Sequence, residues 1–336
     1  MKRYLITGGA GFIGANFVKY LYEVEENPQV VVLDKLTYSG NLDNLADVAD
    51  REGFTFVKGD ICDPEAVESV MDGVSAVVNF AAEVAVDRSL NDKESFLKTD
   101  MIGVHVLLES VRNHADTVQR YIQISTDEVY GQILEGSFTE QSPLMPRNPY
   151  AASKAGGDRL AYSYFASYGL PVIITRASNN YGPWAYPEKV IPLFITNLAE
   201  GRDVPIFGDG SQIRDWLYVK DHCSAIYKLI HEGKNGEVYN VGGGQEITNL
   251  ELTKEILRLT GADESRIRFV ADRPGHDLRY SLNCEKLKSL GWQPEYDWKR
   301  GLKETTEWYL NHEDYWKPLK AKLDKRYITG FWNEKK

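Results

Sequence analysis

The feature that most restricts the possible folds of this chain is a short apolar run followed at once by regularly spaced glycines. Residues 3–7 (RYLIT) read as a buried strand, and GGAGFIG then places Gly8, Gly11 and Gly14 before a helix-like stretch over about residues 12–22. A tight turn after a strand needs a residue without a Cβ, the next glycine lets the backbone approach a ligand, and a helix start offers unpaired N–H groups. The pattern predicts a strand–turn–helix unit that can hold a pyrophosphate.

Further apolar runs alternate with helical patterns along the first half of the chain. Four-to-seven-residue apolar runs follow at 30–33, 54–57, 76–82, 121–125 and 171–176, and the longest helical patterns cover about 95–113 and 150–168. Nearly continuous apolar character in such strands is typical of a parallel sheet covered on both faces. We therefore predict an α/β fold, with a Rossmann-type doubly wound parallel sheet and a smaller α/β C-terminal substrate-binding domain.

Two domains are expected to pack as one unit with a cleft between them. The pattern loosens after about residue 180, where prolines cluster and short strands and helices alternate. We assign residues 1–180 to the dinucleotide-binding domain with the catalytic residues, and 181–336 mainly to the substrate domain, while allowing the chain to cross between them.

Composition excludes several classes of partner. The formal net charge of −10 argues against nonspecific binding to nucleic acid, and no apolar run is long enough to span a membrane. The three cysteines, Cys62, Cys223 and Cys284, are widely spaced and form no metal-binding pattern. We expect reduced thiols, no metal site and a cytoplasmic location.

Two acidic residues that end strands suggest the cofactor. Asp34 lies 20 residues beyond Gly14, at the end of the second predicted strand. A carboxylate there can hydrogen-bond a ribose hydroxyl and repel a 2′-phosphate, which favours NAD over NADP. Asp60 follows the third strand, where contact with the adenine and a plain turn are nearly equal interpretations.

A tyrosine and a lysine supply a candidate proton-transfer pair. Tyr150 and Lys154 in YAASK lie at i and i+4, on one face of a helix. A nearby ammonium favours the phenolate, so we expect it to lower the pKa of Tyr150. The phenolate can then accept a proton from a hydroxyl while hydride leaves the same carbon. With Ser125 and Thr126 upstream, the pair indicates an oxidoreductive step.

These motifs carry a family resemblance over nearly the whole chain. Together with Asp34 the sequence resembles the extended short-chain dehydrogenase/reductases and, more closely, the nucleotide-sugar 4,6-dehydratases. The matching segments are GGAGFIG, DKLTYSGNL (34–42), AAE (81–83), VDRS (86–89), STDEVYG, YAASK, SNNYGP (178–183), PEKVIPL (187–193), QIRDWLYV (212–219), YNVGG (239–243) and RPGHDLRY (273–280).

The resemblance explains two adjacent carboxylates at the end of the fifth strand, which alone would read as solvated turn residues. A dehydratase must expel the C6 hydroxyl after C4 becomes a ketone. By similarity Glu128 is the C5 base, Asp127 is the acid at O6, and Thr126 holds the sugar O4 beside Tyr150. Neighbours on a regular strand point to opposite faces, so both carboxylates can serve one substrate only if the chain leaves strand geometry there.

The resemblance also implies the residues around both ligands. Those implied around NAD are Gly8, Gly11, Phe12, Ile13, Gly14, Asp34, Lys35, Leu36, Thr37, Asp60, Ile61, Ala81, Ala82, Thr99, Tyr150, Lys154 and Asn180. Those implied around a nucleotide-diphosphate sugar are Thr126, Asn179, Glu188, Lys189, Val190, Pro205, Phe207, Arg214, Asn249, Arg273 and His276. Phe207 would stack on a pyrimidine, and the two arginines with the histidine would neutralise the diphosphate; a surface charge is the alternative for any single arginine.

The family pattern also implies a homodimer, formed through the helices near 95–113 and 150–168, and a role in deoxysugar biosynthesis of the dTDP-rhamnose type. The sequence itself fixes neither the oligomeric state nor the pathway.

One departure from the family pattern concerns the sugar. Family members read AAESHVDRS, whereas this chain has Val84 and Ala85 in place of serine and histidine. The loss of two hydrogen-bonding side chains makes the pocket more apolar. We expect dTDP-glucose as substrate, and UDP-glucose and UDP-N-acetylglucosamine remain alternatives.

Three other functions are compatible with the fold. A nucleotide-sugar 4-epimerase would not need both Asp127 and Glu128, and a sugar-acid decarboxylase would release carbon dioxide from a uronate. A non-catalytic NAD-binding module commonly lacks the tyrosine or lysine, which are both present here.

Overall fold

The computed structural model describes residues 2–272 and 276–323. Its strands and helices, in chain order, are β1 (Arg3–Thr7), α1 (Phe12–Val24), β2 (Gln29–Asp34), β3 (Phe54–Lys58), α2 (Pro64–Glu68), β4 (Ala76–Asn79), α3 (Val86–Asn91), α4 (Lys93–Leu97), α5 (Val104–Asn113), β5 (Arg120–Thr126), α6 (Pro149–Tyr168), β6 (Val172–Ala177), β7 (Asn179–Tyr181), α7 (Val190–Ala199), β8 (Val204–Phe207), β9 (Ile213–Tyr218), α8 (Val219–Glu232), β10 (Val238–Val241), β11 (Glu246–Thr248), α9 (Asn249–Thr260), β12 (Ile267–Val270), α10 (Glu285–Lys288), α11 (Trp298–Asn311) and α12 (Glu313–Ala321).

Seven parallel strands form the main sheet, in the order β10-β6-β5-β4-β1-β2-β3. The order reverses between β1 and β4, so loops leaving these strands diverge and open a crevice at their carboxyl ends. Strands β1, β4 and β6 are buried along nearly their whole length. This sheet, with helices packed against it, confirms the predicted Rossmann-type α/β fold.

The sheet has a separate apolar core on each face. One core contains Phe17 and Leu21 of α1 together with Ile226 and Leu229 of α8. The other contains Leu107 and Val111 of α5 and Ala161 of α6. Both faces are covered, which explains why the strands read as continuous apolar runs.

The chain crosses back to the sheet after residue 180. Strand β10 pairs with β6, with Val238 opposite Ile174, and α8 packs beside α1. Two elements from the second half of the sequence thus complete the dinucleotide-binding layer. The boundary at residue 180 stays a prediction about folding units.

A smaller layer is built from the remaining elements. It contains the three-stranded sheet β11-β9-β7 and the pair β12-β8. Its apolar core is formed by side chains of α7, α9 and α11, including Phe194, Ile256 and Leu302.

Two elements differ from the sequence prediction. Strand β4 ends at Asn79, three residues before the predicted end. The predicted helix over 95–113 is interrupted by a π turn at Lys98–Gly103 between α4 and α5. In the described part of the chain, no helix combines the length and apolar character needed to cross a bilayer.

Candidate active site

The glycine turn after β1 forms a cradle at the carboxyl edge of the sheet. Gly8 has φ of +67°, and a Cβ there would lie 2.6 Å from the Ala81 backbone nitrogen. A Cβ on Gly14 would lie 2.4 Å from the Gly8 carbonyl oxygen. Helix α1 begins just after Gly11 without a side-chain cap, so its first N–H groups are available to a ligand, and its first three residues line the crevice. The turn therefore has both the close packing and the donors that a pyrophosphate requires.

Asp34 organises the far wall of the cradle. Its carboxylate accepts hydrogen bonds from the Ala10 N–H (2.9 Å) and the Leu36 N–H (2.7 Å). Burial raises the pKa of Asp34, and these two hydrogen bonds oppose that shift. The carboxylate lines the crevice, where it can also accept a hydrogen bond from a ribose hydroxyl.

Asp60 forms an ion pair with Lys35 at 2.7 Å and accepts the Cys62 N–H. Burial acts to raise the pKa of Asp60, but the hydrogen bonds from Lys35 and Cys62 outweigh it and lower the pKa. Asp60 thus stays ionised beside the predicted adenine position.

The chain leaves strand geometry where the two carboxylates lie. Thr126 ends β5 and caps a 3₁₀ turn over Asp127–Tyr130, its hydroxyl oxygen accepting the Glu128 N–H at 3.2 Å. The turn places Thr126, Asp127 and Glu128 in the same cavity, which also contains Tyr150 and Lys154. Asn148, the N-cap of α6, donates to the Glu128 carboxylate at 3.3 Å.

Asp127 is held in its neutral form. It is 3% exposed, and burial followed by the nearby Glu128 charge raises its pKa to about 8. Thr126 donates to its Oδ1 at 3.1 Å, while Oδ2 has no hydrogen-bond partner among the described residues. A protonated carboxyl with one unsatisfied oxygen on a cavity wall can act as a proton donor.

The environment of Tyr150 differs from the prediction. Burial, followed by the charges of Glu128 and Asp100, raises its pKa well above the ordinary value. The Lys154 ammonium instead donates to the Ile124 carbonyl at 2.8 Å. The expected lowering of the tyrosine pKa is therefore wrong for the chain alone, because burial and carboxylates dominate around the hydroxyl.

Another carboxylate, besides those of Asp127 and Glu128, lies close to Lys154. Asp100, in the π turn, accepts the Ser153 hydroxyl at 2.6 Å and lies 4.0 Å from the Lys154 ammonium. Burial raises the pKa of Asp100 to about 6, although Lys154 and Ser153 oppose the shift. Burial also lowers the pKa of Lys154, which Asp100 partly restores.

The five predicted catalytic residues and most predicted cofactor residues share one cavity of about 320 Å³. Leu36 is the exception among the cofactor residues. It does not line the cavity, but its N–H donates to Asp34, which does. Four predicted substrate residues besides Thr126 also line this cavity: Asn179, Glu188, Lys189 and Val190.

The other predicted substrate residues that the structure describes do not line this cavity. Phe207 packs edge-on against His276, and His276 contacts Asp272 at 2.7 Å. Gln212 bridges to Asp272 and to Asn249. These residues form a second polar cluster around β8, and Pro205 lies on the same strand.

The two arginines predicted to bind the diphosphate are Arg214 and Arg273. The Arg214 guanidinium is buried and donates to the backbone carbonyls of Ile213 and Asp277. These bonds hold the guanidinium in place and use only part of its five N–H donors. Arg273 lies outside the described residues.

Several residues that line the cavity, or that contact its lining, were missed from the sequence. Tyr38 donates to the Glu188 carboxylate at 2.6 Å, and the Arg88 guanidinium lies 3.6 Å over its ring. Ser178 and His222 also line the cavity. Tyr38 and Ser178 lie inside matched motifs, which was an available signal, whereas His222 lies on α8 with no local signal.

The cavity fits a dinucleotide. The glycine cradle, the carboxylate of Asp34 and buried polar atoms without partners in the described ranges, on Ser125, Asn179 and His222, all face one crevice. Within the same ranges, no group of three potential metal-ligating side chains occurs.

The fold and this site define a dinucleotide-dependent enzyme of the extended short-chain dehydrogenase/reductase class. The family profile described as GDP-mannose 4,6 dehydratase matches residues 5–305. The chain belongs to this family.

Curated relatives and solved structures agree with that assignment. The chain is 50% identical over 324 residues to a dTDP-glucose 4,6-dehydratase of Streptomyces niveus, covering 95% of this chain and 96% of the relative. It is 49% identical to the low-salt glycan biosynthesis protein Agl12 of Haloferax volcanii, over 92% and 99% of the two chains. The crystal structure of the dTDP-glucose 4,6-dehydratase DesIV from Streptomyces venezuelae, with NAD bound, superposes with a TM-score of 0.91 at 48% identity, covering 94% of this chain and 99% of that one.

Proposed function

We propose that this chain is an NAD-dependent hydro-lyase that converts dTDP-glucose to dTDP-4-keto-6-deoxyglucose. The observation that carries the proposal is the neutral Asp127 beside Glu128 in the cavity that holds Tyr150. A 4-epimerase needs the tyrosine but has no use for this acid–base pair. The relatives named dTDP-glucose 4,6-dehydratase, at 42–50% identity, support the same conclusion.

The cofactor would be held by the glycine cradle and the carboxylate of Asp34. Bound NAD would supply a hydride acceptor for C4 and later return the hydride to C6. Gly8 and Gly14 leave room for the pyrophosphate, and Asp34 would accept a ribose hydroxyl. Asp60 and Lys35 would lie at the adenine.

The first proton transfer belongs to Tyr150. Its phenolate oxygen would take the proton of the C4 hydroxyl and become a neutral hydroxyl, with Thr126 holding the sugar O4 beside it. Burial, followed by the charges of Glu128 and Asp100, opposes the phenolate in the chain alone. Since a cation beside the hydroxyl favours the phenolate, the positive charge of an oxidised nicotinamide would act in the required direction.

The elimination belongs to the two carboxylates of the 3₁₀ turn. Glu128 would take the C5 proton that the C4 ketone has made acidic, and Asp127 would give its proton to the C6 hydroxyl as that group leaves as water. Glu128 would then return its proton to C5 when C6 accepts hydride. The net change is the loss of one water. The proton that Tyr150 took from the C4 hydroxyl balances the one that Asp127 gave to the C6 hydroxyl, so proton exchange with solvent returns both groups to their starting states.

The sugar nucleotide would extend from the catalytic cavity to the cluster around β8. Asn179, Glu188, Lys189 and Val190 would contact the sugar end. Pro205, Phe207, Asn249 and His276 would lie at the nucleotide end, with Arg214 and Arg273 near the diphosphate.

We also propose a homodimer and a cytoplasmic location. Exposed apolar side chains on the helical face expected at the interface include Leu97, Ile102 and Tyr168. The three cysteines are all unpaired, as expected in a reducing compartment. Light scattering after gel filtration tests the dimer. A role in deoxysugar biosynthesis of the dTDP-rhamnose type requires that the product be the 4-keto-6-deoxy sugar.

Turnover of dTDP-glucose in deuterated water tests the proposed reaction, with UDP-glucose and UDP-N-acetylglucosamine in parallel. We expect a product one water lighter with deuterium at C5, and Glu128→Gln should abolish both changes. The parallel sugars are included because Val84 replaces a polar residue on the cavity wall. A product of unchanged mass with inverted C4 would contradict the proposal and favour an epimerase.

A further inference from the structure

A buried histidine contacts one of the cavity residues. His222 is fully buried on α8, yet it lines the catalytic cavity. Its Nδ1 lies 2.8 Å from Oδ1 of Asn180. Asn180 also lines the cavity and donates through Nδ2 to the Ser178 carbonyl at 2.9 Å.

The hydrogen bonds fix the orientation of both side chains. A carbonyl oxygen can only accept, so the Asn180 nitrogen must face Ser178 and its oxygen must face His222. That oxygen also only accepts, so Nδ1 of His222 must carry the proton. Burial lowers the pKa of His222 to about 3, which keeps the ring neutral and leaves Nε2 unprotonated.

The amide of Asn180 then has one N–H to offer to the cavity. Its nitrogen carries two hydrogens and Ser178 takes one of them. If His222 were removed, the amide could rotate and present its oxygen instead.

We propose that His222 is a positioning residue, which holds the Asn180 amide so that its N–H faces the nicotinamide end of the cofactor. This inference rests on the proposed use of NAD. His222 touches neither reacting atom, so its effect passes through Asn180.

Two conservative variants separate the two ring nitrogens. In His222→Asn the side-chain amide nitrogen takes the place of Nδ1 and keeps the donor to Asn180. In His222→Gln the amide reaches the place of Nε2 and the donor to Asn180 is lost. The Nε2 atom has no hydrogen-bond partner among the residues that the structure describes.

Calorimetric NAD affinity and steady-state kinetics are the readouts. We expect His222→Gln to weaken NAD binding about tenfold, the effect of one lost hydrogen bond, and to lower kcat with little change in KM for the sugar nucleotide. In His222→Asn, NAD affinity and kcat should both stay within about twofold of the values for the unmodified protein. The reverse order, with His222→Gln intact and His222→Asn impaired, would overturn the proposal, because Nε2 would then be the effective atom.

A double-mutant cycle tests whether the effect passes through Asn180. In an Asn180→Ala background, His222→Gln should change NAD affinity by no more than about twofold. Additive losses would show that His222 acts independently. Cys223→Ala is the control, since Cys223 is buried on the same helix outside the cavity and should lower thermal stability without changing NAD affinity.

Failure of this inference can be distinguished from failure of the proposed reaction. NAD affinity that falls in His222→Gln, in a protein that does not act on dTDP-glucose, would support the inference and contradict the reaction. Normal turnover of dTDP-glucose with unchanged NAD affinity in His222→Gln would support the reaction and contradict the inference. Nitrogen-15 labelling of histidine gives an independent check, because an Nε2–H tautomer at His222 would overturn the inference.

Discussion

At the residue scale, the neutral state of Asp127 has opposite consequences for activity and for stability. The folded protein keeps a proton on this carboxyl up to about pH 8, whereas the unfolded chain releases it near the ordinary value of 3.8. Because the folded state binds the extra proton, its free energy of unfolding falls as pH rises between these values. An asparagine side chain does not titrate, so it adds no such pH dependence to the free energy of unfolding.

Asp127→Asn should therefore be less active but more stable. We expect turnover to fall by about 10²- to 10⁴-fold, as for loss of a general acid, with reduced cofactor accumulating because C4 oxidation remains possible. The stability gain over the unmodified protein should grow by about 1–3 kcal/mol between pH 5 and pH 8. Denaturant unfolding at both pH values measures it.

Glu128→Gln is the comparison for activity, because it removes the neighbouring, less buried carboxyl of the same turn and should also lower turnover. A stability difference for Asp127→Asn that is constant with pH would show that Asp127 is ionised in the folded protein.

Single residues differ in how far sequence could predict them. Asp127, Glu128, Tyr150 and Lys154 lie in local motifs, and the structure brings them into one cavity. The predicted pKa direction of Tyr150 was wrong because the pKa depends first on burial, then on the charge of Glu128 and then on that of Asp100, which comes from a segment 50 residues earlier. Charges that meet only through folding leave no mark in a local pattern.

At the element scale, the π turn at Lys98–Gly103 supports the lysine from behind. Helix α6 approaches it so closely that a Cβ on Gly157 would lie 2.4 Å from the Asp100 carbonyl oxygen. The strand–helix alternation was predictable from apolar periodicity, but this turn was not, since the helix that packs against it lies about 50 residues further along the chain. The same limit applies to β4, which ends at Asn79 because the chain turns into the crevice there.

Two adjacent glycines of α6 offer a matched test of this contact. Gly157→Ala must displace backbone, whereas a Cβ on Gly156 would meet only the flexible end of the Met101 side chain. Alanine favours a helix over glycine by about 1 kcal/mol, so Gly156→Ala should be neutral or slightly stabilising. Gly157→Ala should destabilise by about 1–3 kcal/mol and lower turnover, because Asp100 and Lys154 would shift. Thermal unfolding and steady-state kinetics of both variants measure these effects. Equal stability and equal turnover in the two variants would show that the close contact between Gly157 and Asp100 does not position Lys154.

At the scale of the whole molecule, the two halves of the sequence share one core. Strand β10 covers the edge of β6, and Ile226 and Leu229 of α8 pack in the core that contains Phe17. Periodicity could locate these elements, but not their partners, because pairing between distant segments depends on topology. This is why residues 1–180 could be assigned to the sheet while β10 could not.

A fragment of residues 1–180 should therefore fail to fold alone. Without β10 and α8, the edge of β6 and an apolar face of α1 would be exposed, which favours aggregation. We expect an insoluble fragment, or a soluble one without a cooperative thermal transition by circular dichroism. Co-expression with residues 181–336 is the control, since that fragment supplies both elements and should restore a soluble complex. A monomeric 1–180 fragment with a sharp transition would instead establish residue 180 as the boundary between independent folding units.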